Sequence, residues 1–376
     1  MIICSPHVGI APESSAGGEV YEREVLKRLA LQGVRIELIL PGRAPCWTDI
    51  PNWSIHRTWL PKGFRWYISN LVFPPYIKQV YDQQPFDLLR AHSARFTGPA
   101  CLWARQLYRL PVPVVVHHHH LDPDPLNSVI EQRVMAGADL IITDSEFSRQ
   151  QLVKTLGIAP DKVSVIYCGI SSDFVPQPRD VGLAAYWGLT DKQVVLCLGA
   201  LKPRKNLSFL LEVFARVVAR RGDNIRLVLV GNGPEEARLR KRARALGIAD
   251  LVVFTGYVAE ADKVRYYNLA DVFVQTSKLE GFGLVATEAM ACGVPVVVSR
   301  VGSLPEVVVN GVTGYLCDLG DVEAFAQAIL RLLDDAELRR HMGEQARAHV
   351  ERRFNWDEAV RSIRALYQDI VEARKR

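Results

Sequence analysis

Two glutamates eight residues apart form the pattern with the clearest chemical content. Glu280 and Glu288 enclose a Gly-Phe-Gly turn between a predicted strand that ends near Ser277 and a predicted helix. Glycine lets the backbone approach a ligand closely, and a helix start directs free N–H groups and partial positive charge at it. Helix rise places the two carboxylates on the order of 10 Å apart. The pattern suits a diphosphate bound at the amides, with one carboxylate accepting from a sugar hydroxyl and the other from a ribose. The alternative interpretation is a surface helix with a solvated glutamate.

A basic turn supplies the matching charge. Arg204 and Lys205 follow the strand predicted near 193–198 and precede a helix. Open α/β sheets bind ligands at the carboxyl ends of their parallel strands, and adjacent Arg and Lys there form charge-assisted bonds to phosphate. Together with the helix amides, these cations can neutralise a diphosphate leaving group without a metal ion. A solvated basic turn is the alternative interpretation.

Two further turns lie at predicted strand ends in the same half. Gly231 follows the strand near 225–230, and the backbone beyond Gly256, at Tyr257 and Val258, could contact a nucleobase edge. Chain reversal and ordinary strand termination explain these residues equally well.

The first half carries polar residues at similar places. Gly17 and Gly18 precede a predicted helix and offer further free amides, although a flexible turn would have the same sequence. The run His117 to His120 follows the strand predicted at 112–116, but adjacent side chains on extended backbone point to opposite faces and cannot all converge on one zinc ion. Asp122 and Asp124 match an Asp-x-Asp metal pattern, but the flanking prolines favour a turn.

These residues require a scaffold that gathers strand ends. Runs rich in Val, Ile and Leu alternate with segments of helical period, as in βαβ units on a parallel sheet, and the series occurs twice. The predicted strands lie near 34–40, 86–91, 112–116, 139–143 and 163–168, then near 193–198, 225–230, 251–255, 271–276 and 294–298. The predicted helices lie near 18–33, 95–109, 146–156 and 207–218. A linker with two prolines at 176 and 178 separates the series, so we predict α/β domains at 1–174 and 175–355, followed by a final helix within 356–376.

Composition narrows the class of protein. The chain has 376 residues, 49% apolar and 23% charged, which favours a globular protein with two cores. It lacks an apolar run long enough to span a bilayer and a recognisable signal peptide, so we expect a cytoplasmic protein. Seven scattered cysteines indicate neither a disulfide framework nor a thiolate zinc site. A net charge of +5 argues only for tolerance of anionic ligands or lipid surfaces, and no basic stripe indicates nucleic-acid binding.

Aromatic and basic residues are dense between positions 47 and 81. Amphipathic rings with interleaved cations suit a peripheral contact with a membrane, at its inner face, or a glycan platform. A partly buried helix and its loops would have the same composition. The aromatic residues are Trp53, Trp59, Phe64, Trp66, Tyr67, Phe73 and Tyr76, and the cations are Arg57, Lys62, Arg65 and Lys78.

Taken in order, these motifs resemble the retaining glycosyltransferases of family 4 (group 1), which have the GT-B fold. The matching elements are the Pro-Arg-Lys-Asn turn at 203–206, the Gly-x-Gly turn at 231–233, the Glu-x7-Glu segment, and Gly302-Ser303-Leu304-Pro305-Glu306 followed by a glycine-rich turn at 310–314. The resemblance implies two Rossmann-like domains facing each other across a cleft, with the final helix crossing back to pack on the first domain. One departure is Ala200, where many relatives carry an arginine, so that Arg204 and Lys205 would carry the phosphate contacts without it.

The resemblance also implies residue roles. The Gly17-Gly18 loop would face the donor phosphates and the acceptor, and counting from Pro113 assigns the sugar-contacting histidine to His119, with His117 on the same side if the strand continues. The predicted catalytic residues are His119, Glu280, Arg204 and Lys205. The predicted donor-binding residues are Gly17, Gly18, Arg204, Lys205, Gly231, Tyr257, Val258, Glu280, Gly281, Phe282, Gly283, Leu284 and Glu288.

The expected activity is metal-independent transfer of a hexosyl group, with retention, from a nucleotide-diphosphate sugar to a glycan, lipid-linked or small-molecule acceptor. A UDP- or GDP-linked donor is expected, and no further cofactor. The alternatives are an epimerase of the same fold and a partner subunit that binds nucleotide sugar without catalysis. A phosphorylase would need a cofactor-lysine pattern that the sequence lacks.

Overall fold

The computed structural model describes residues 1–12, 17–60, 68–119 and 125–375, without the side chains of 125–127. Its strands are β1 (Ile2–Pro6), β2 (Arg35–Pro41), β3 (Trp53–Thr58), β4 (Leu88–Ala91), β5 (Val114–His118), β6 (Leu140–Thr143), β7 (Val163–Val165), β8 (Gln193–Leu198), β9 (Ile225–Val230), β10 (Val252–Gly256), β11 (Val272–Gln275), β12 (Val296–Ser299) and β13 (Gly314–Cys317). Its α-helices are α1 (Gly17–Leu31), α2 (Ile68–Gln83), α3 (Gly98–Leu107), α4 (Pro125–Gly137), α5 (Glu146–Leu156), α6 (Val181–Tyr186), α7 (Leu207–Arg221), α8 (Glu236–Ala245), α9 (Lys263–Tyr267), α10 (Leu284–Ala291), α11 (Leu304–Val307), α12 (Val322–Asp334), α13 (Ala336–Arg353) and α14 (Trp356–Lys375).

The chain divides into two compact units. The first unit comprises Met1–Cys168 together with Trp356–Arg376, and the second comprises Gly169–Asn355. The first unit thus ends at Cys168 rather than at the predicted 174. None of the described helices has the length and apolar character needed to cross a bilayer.

The first unit is built on a parallel sheet with the strand order β3-β2-β1-β4-β5-β6-β7. The order reverses between β1 and β4, and open sheets of this kind bind ligands beyond the carboxyl ends of the strands near such a reversal. The last helix, α14, packs in this unit against α1. Its Trp356 ring lies 5.7 Å from the Tyr21 ring, and its Tyr367 is fully buried. The expectation that the final helix packs on the first domain is therefore confirmed.

The second unit contains another parallel sheet, with the order β10-β9-β8-β11-β12-β13. Its apolar core lies between the sheet and helices α7 and α12, where the Phe209 and Phe325 rings meet edge to face at 5.4 Å. The apolar period of the predicted helix at 207–218 faces this core, with Leu210 and Phe214 fully buried. Both units have the predicted Rossmann-like α/β architecture.

Several elements were missed or misjudged from sequence. No strand was predicted before residue 34, but the amino terminus forms the interior strand β1, which pairs with β2 and β4 and is largely buried. Edge strand β3 is only half-buried and carries Ser54, His56 and Arg57, so it lacks the apolar run by which the other strands are recognised. The short strand β13 and helices α2, α4, α6, α8, α9, α11, α12 and α13 were not assigned from the sequence either. All seven cysteines are free in the structure.

Candidate functional site

The turn between β11 and α10 is shaped by glycines in close contact. Gly283 has a φ of 99°, a left-handed conformation that glycine adopts without strain, and α10 begins directly after it. A Cβ on Gly302 would lie 2.2 Å from the carbonyl oxygen of Glu280, so only glycine allows this approach. The N–H of Ser303 donates to that same carbonyl at 3.2 Å. The Gly-Ser-Leu-Pro-Glu motif therefore supports the backbone that carries Glu280.

Glu280, Lys205 and Arg204 form one ion cluster, which we call the donor-phosphate cluster. The Glu280 Oε1 atom lies 2.7 Å from Lys205 Nζ and 3.2 Å from Arg204 Nη1. Glu280 and Lys205 are largely buried, whereas the Arg204 side chain is 51% exposed. Burial alone would raise the pKa of Glu280, but Lys205 and then Arg204 outweigh it and lower the pKa to about 2. The carboxylate is therefore charged at physiological pH, and the cluster carries a net charge of about +1.

Backbone contacts keep the basic turn beside the loop after β11. Residues Pro203–Lys205 form a single 3₁₀ turn, and Asn206 adopts a left-handed conformation with a φ of 55°. The Lys278 N–H donates to the Arg204 carbonyl at 2.8 Å, and the Thr276 hydroxyl donates to the Lys205 carbonyl at 3.2 Å. The predicted proximity of the basic turn to Glu280 thus follows from adjacent β8 and β11, whose carboxyl ends meet at one edge.

The start of α10 supplies backbone donors. The first intrahelical bonds run from the N–H groups of Ala286 and Thr287 to the Gly283 carbonyl. The N–H groups of Leu284 and Val285 precede them and have no carbonyl partner inside the helix. The Phe282 side chain is buried and meets the Phe354 ring at 5.2 Å. A ligand at this turn would therefore meet the backbone of Phe282 rather than its ring, and Gly281 lies beside it.

Glu288 lies inside α10 within a second polar cluster that the sequence did not reveal. The Tyr267 hydroxyl donates to Glu288 Oε2 at 2.6 Å, and Lys263 Nζ lies 3.7 Å from Oε1. Lys263 also pairs with Glu260 at 2.7 Å. Burial raises the pKa of Glu288, and the adjacent Lys263 opposes that rise. A carboxylate has about four acceptor positions, so Glu288 can still accept from a ligand diol.

The remaining predicted donor contacts have different surroundings. Gly231 has a φ of 126°, and a Cβ there would lie 2.2 Å from the Gly199 carbonyl oxygen. Its N–H also donates to Gly256 at 2.8 Å, so close packing of strand ends already requires this glycine. Tyr257 is 54% exposed beyond β10, and Val258 is half-buried next to it. Tyr257 is therefore accessible from solvent.

In the first unit, the histidine run is divided between the sheet and the residues after it. His117 and His118 end β5 and are buried, His119 follows the strand, and His120 lies outside the described residues. His117 lies between two phenols, with Nδ1 3.3 Å from the Tyr21 hydroxyl and Nε2 2.6 Å from the Tyr367 hydroxyl. Burial, and then Arg90, lower the pKa of His117 well below its usual value. His117 is therefore a neutral residue of the interior.

Each ring nitrogen of His119 contacts a carboxylate. Its Nδ1 lies 3.2 Å from Asp144 Oδ2 and its Nε2 lies 3.4 Å from Glu22 Oε1. Burial would lower the pKa of His119, but bonding to Asp144 and Glu22 outweighs it and raises the pKa to about 9. Both ring nitrogens then donate, so His119 is an imidazolium at neutral pH and cannot act there as a general base.

A buried network continues from His119 to the last helix. Glu22 also pairs with Arg90, and Arg90 Nε donates to the Tyr367 hydroxyl at 2.9 Å. The charges of Arg90 and His119 therefore balance those of Glu22 and Asp144. Nothing in the sequence spacing brings these four residues together, because they come from four different elements or loops of the first unit. Gly17 and Gly18 start α1, whereas Asp122 and Asp124 lie outside the described residues.

The fold, the polar clusters and the matching family models together identify the class of protein. Two Rossmann-like units in one chain, an arrangement that the solved structural neighbours share, define the GT-B fold. The family described as "Glycosyl transferases group 1" matches residues 187–349, and "Glycosyltransferase Family 4" matches residues 15–174. The chain belongs to this group 1, family 4 set of glycosyltransferases and is an enzyme of that kind.

Individual relatives differ in what their names describe. The chain is 36% identical to D-inositol 3-phosphate glycosyltransferase of Acidothermus cellulolyticus, over 96% of this chain and 87% of the relative. It is 29% identical to N-acetyl-alpha-D-glucosaminyl L-malate synthase of Bacillus anthracis, over 98% and 96%. Among solved structures, sucrose-phosphate synthase of Thermosynechococcus elongatus has a TM-score of 0.82 at 24% identity, covering 99% of this chain and all of the other. Anabaena HepE with UDP and glucose also has 0.82 at 24%, covering 98% of this chain and all of the other.

Proposed function

We propose that the protein transfers a hexosyl group, with retention, from a UDP- or GDP-linked sugar to a glycan, lipid-linked or small-molecule acceptor. The observation that carries this proposal is the donor-phosphate cluster of Arg204, Lys205 and Glu280 beside the start of α10. Two cations and free helix amides at a strand-end turn suit a diphosphate. The presence of UDP and glucose in the related HepE structure supports a nucleotide-sugar donor.

In the proposed reaction, the bond between the anomeric carbon and the diphosphate oxygen breaks while the acceptor oxygen bonds to that carbon on the same face. The acceptor proton passes to the departing diphosphate. Lys205, Arg204 and the amides of Leu284 and Val285 stabilise the charge that develops on the leaving group. This charge is within reach of the protein's own cations, which supports the proposal that no metal ion is required.

Glu280 and Glu288 take different parts of the donor in this proposal. Glu280, next to the cations, accepts from a sugar hydroxyl, and Glu288, braced by Tyr267 and Lys263, accepts from the ribose diol. The exposed Tyr257 ring contacts the base. In the first unit, His119 contributes a fixed positive charge toward a sugar or acceptor hydroxyl, while its two N–H groups are held by Asp144 and Glu22.

The proposal is tested by turnover of a panel of UDP-, GDP- and ADP-sugars with and without candidate acceptors. Free nucleotide released only when acceptor is present supports transfer. Conversion of one nucleotide sugar into another without acceptor would instead indicate an epimerase, and tight binding without any turnover would indicate a silent partner subunit. Turnover that persists in EDTA supports the metal-free mechanism, and its complete loss would contradict it.

A further inference from the structure

Helices α2 and α3 of the first unit pack side by side and leave an apolar groove on the surface, here named the α2–α3 groove. It has a volume of about 670 Å³ and is lined by Leu71, Pro74, Pro75, Trp103 and Leu107 among its apolar residues. Spacings of three and four residues place the α2 members on one helix face, and Trp103 and Leu107 on one face of α3. Leu71 is 68% exposed, Trp103 47% and Leu107 69%. Large apolar side chains in such a cluster mark an interaction surface.

One end of the groove opens into a basic pocket. A second cavity of about 540 Å³ shares Gln106 and Arg109 with the groove and is also lined by Arg105, Arg374 and Asp139. Asp139 is the sole carboxylate among the described residues that line this cavity, and it already accepts from Arg105, from Arg374 at 3.2 Å and from the backbone of β5. Three guanidinium groups against one carboxylate leave a net positive charge, and exposed Arg109 forms no ion pair with any described residue.

The backbone at Arg109 provides an independent observation. Arg109 follows the last turn of α3 with a φ of 51°, a left-handed conformation at a position where helices usually have glycine. An arginine here is strained relative to glycine. This conformational cost points to a role for the guanidinium group at the mouth of the groove.

We propose that the α2–α3 groove and its arginine pocket dock the protein on an anionic lipid bilayer. Trp103, Leu107 and Leu71 enter the boundary between head groups and acyl chains, and Arg109 with its neighbours contacts lipid phosphates. Charge complementarity favours an anionic bilayer as the occupant, because the apolar residues and the exposed Arg109 share one continuous surface. The segment 47–81 contributes Leu71, Pro74 and Pro75, but its Phe73 is fully buried in the core. Helix α3, which provides Trp103 and Leu107, is therefore as important to this surface as the segment 47–81.

The test is co-sedimentation of the full chain with vesicles of phosphatidylcholine, with and without phosphatidylglycerol. The protein is expected to bind the anionic vesicles, less so as salt increases, and to bind pure phosphatidylcholine weakly. Arg109→Gly should weaken binding to anionic vesicles about fivefold, as one basic residue near such a surface contributes. The same variant should melt at the same or a higher temperature than wild type, because glycine relieves the strained backbone.

Matched variants separate this surface from general effects of charge and polarity. Leu107→Gln removes an exposed leucine at the end of α3, and Leu31→Gln removes a 58% exposed leucine at the end of α1, which does not line the groove. Only Leu107→Gln should reduce vesicle binding. Arg361→Ala on the exposed face of α14 removes one positive charge, as Arg109→Gly does, and should have little effect.

Four results would overturn the proposal. The first three are no binding to anionic vesicles, equal binding to neutral and anionic vesicles, and wild-type binding by Arg109→Gly or Leu107→Gln. The fourth is complete competition by inorganic phosphate at constant ionic strength, which would show a site for the free anion, whereas retention of vesicle binding under that condition supports a bilayer surface. None of these residues belongs to the donor-phosphate cluster, so failure here leaves the proposed glycosyl transfer untouched.

Discussion

Replacing Glu280 with glutamine should separate nucleotide affinity from turnover. In the structure the Glu280 carboxylate lies against both Lys205 and Arg204, where a diphosphate would add further negative charge. Two unit charges about 5 Å apart at an effective dielectric constant of about 20 repel by about 3 kcal/mol. Because the Arg204 side chain is half exposed, solvent screens part of this repulsion, leaving about 1–2 kcal/mol. We therefore expect Glu280→Gln to bind UDP, GDP or pyrophosphate roughly 5- to 30-fold more tightly.

Turnover should change in the opposite direction, because the neutral amide no longer accepts strongly from the sugar hydroxyl; a loss of about 100-fold or more in kcat is expected. Isothermal titration calorimetry measures the affinity and nucleotide release measures kcat. Since the pKa of Glu280 is about 2, the affinity difference should stay constant from mildly acidic to neutral pH. Glu351→Gln on the surface of α13 serves as the control. If Glu280→Gln weakened nucleotide binding, the carboxylate would be orienting the cations rather than competing with phosphate, and the charge argument would be refuted.

Three other changes test the remaining clusters. Arg204→Ala with Lys205→Ala should abolish the thermal shift caused by the nucleotide sugar, and an unchanged shift would remove the proposed phosphate site. Tyr267→Phe removes a 2.6 Å bond to Glu288, so the donor KM should rise about fivefold with kcat nearly unchanged; a kcat effect alone would contradict the ribose assignment. The pKa of His119 is about 9 in the folded protein and 6.5 in the unfolded chain. Protonated His119 therefore stabilises the fold fully below pH 6.5, and this stabilisation is lost as the pH rises through 9. The loss amounts to about 3 kcal/mol, and His119→Gln should flatten this part of the melting profile against pH; an unchanged profile would contradict the imidazolium assignment.

The sequence predicts best the contacts between residues that follow the carboxyl ends of neighbouring parallel strands. Arg204 and Glu280 lie 76 positions apart, yet their proximity was predictable because β8 and β11 are parallel and end at the same edge. The glycine requirement at 283 follows in the same way from a turn that leads directly into a helix.

Other contacts depend on tertiary packing that no local pattern encodes. Lys263 and Tyr267 reach Glu288 because the short helix α9 packs against α10. Tyr367 reaches His117 across 250 positions, from an apolar helix stripe that predicts burial but not a hydrogen bond. The resemblance assigns the sugar-contacting role to His119, but the sequence does not show that His117 lies between two phenols whereas His119 lies between two carboxylates.

A crystal structure of the protein with bound UDP tests the central claim most directly. The account predicts that the diphosphate oxygens lie within hydrogen-bonding distance of Lys205, Arg204 and the first amides of α10, with the ribose hydroxyls at Glu288. A nucleotide bound away from these residues would contradict the assignment of the donor site and the mechanism that rests on it.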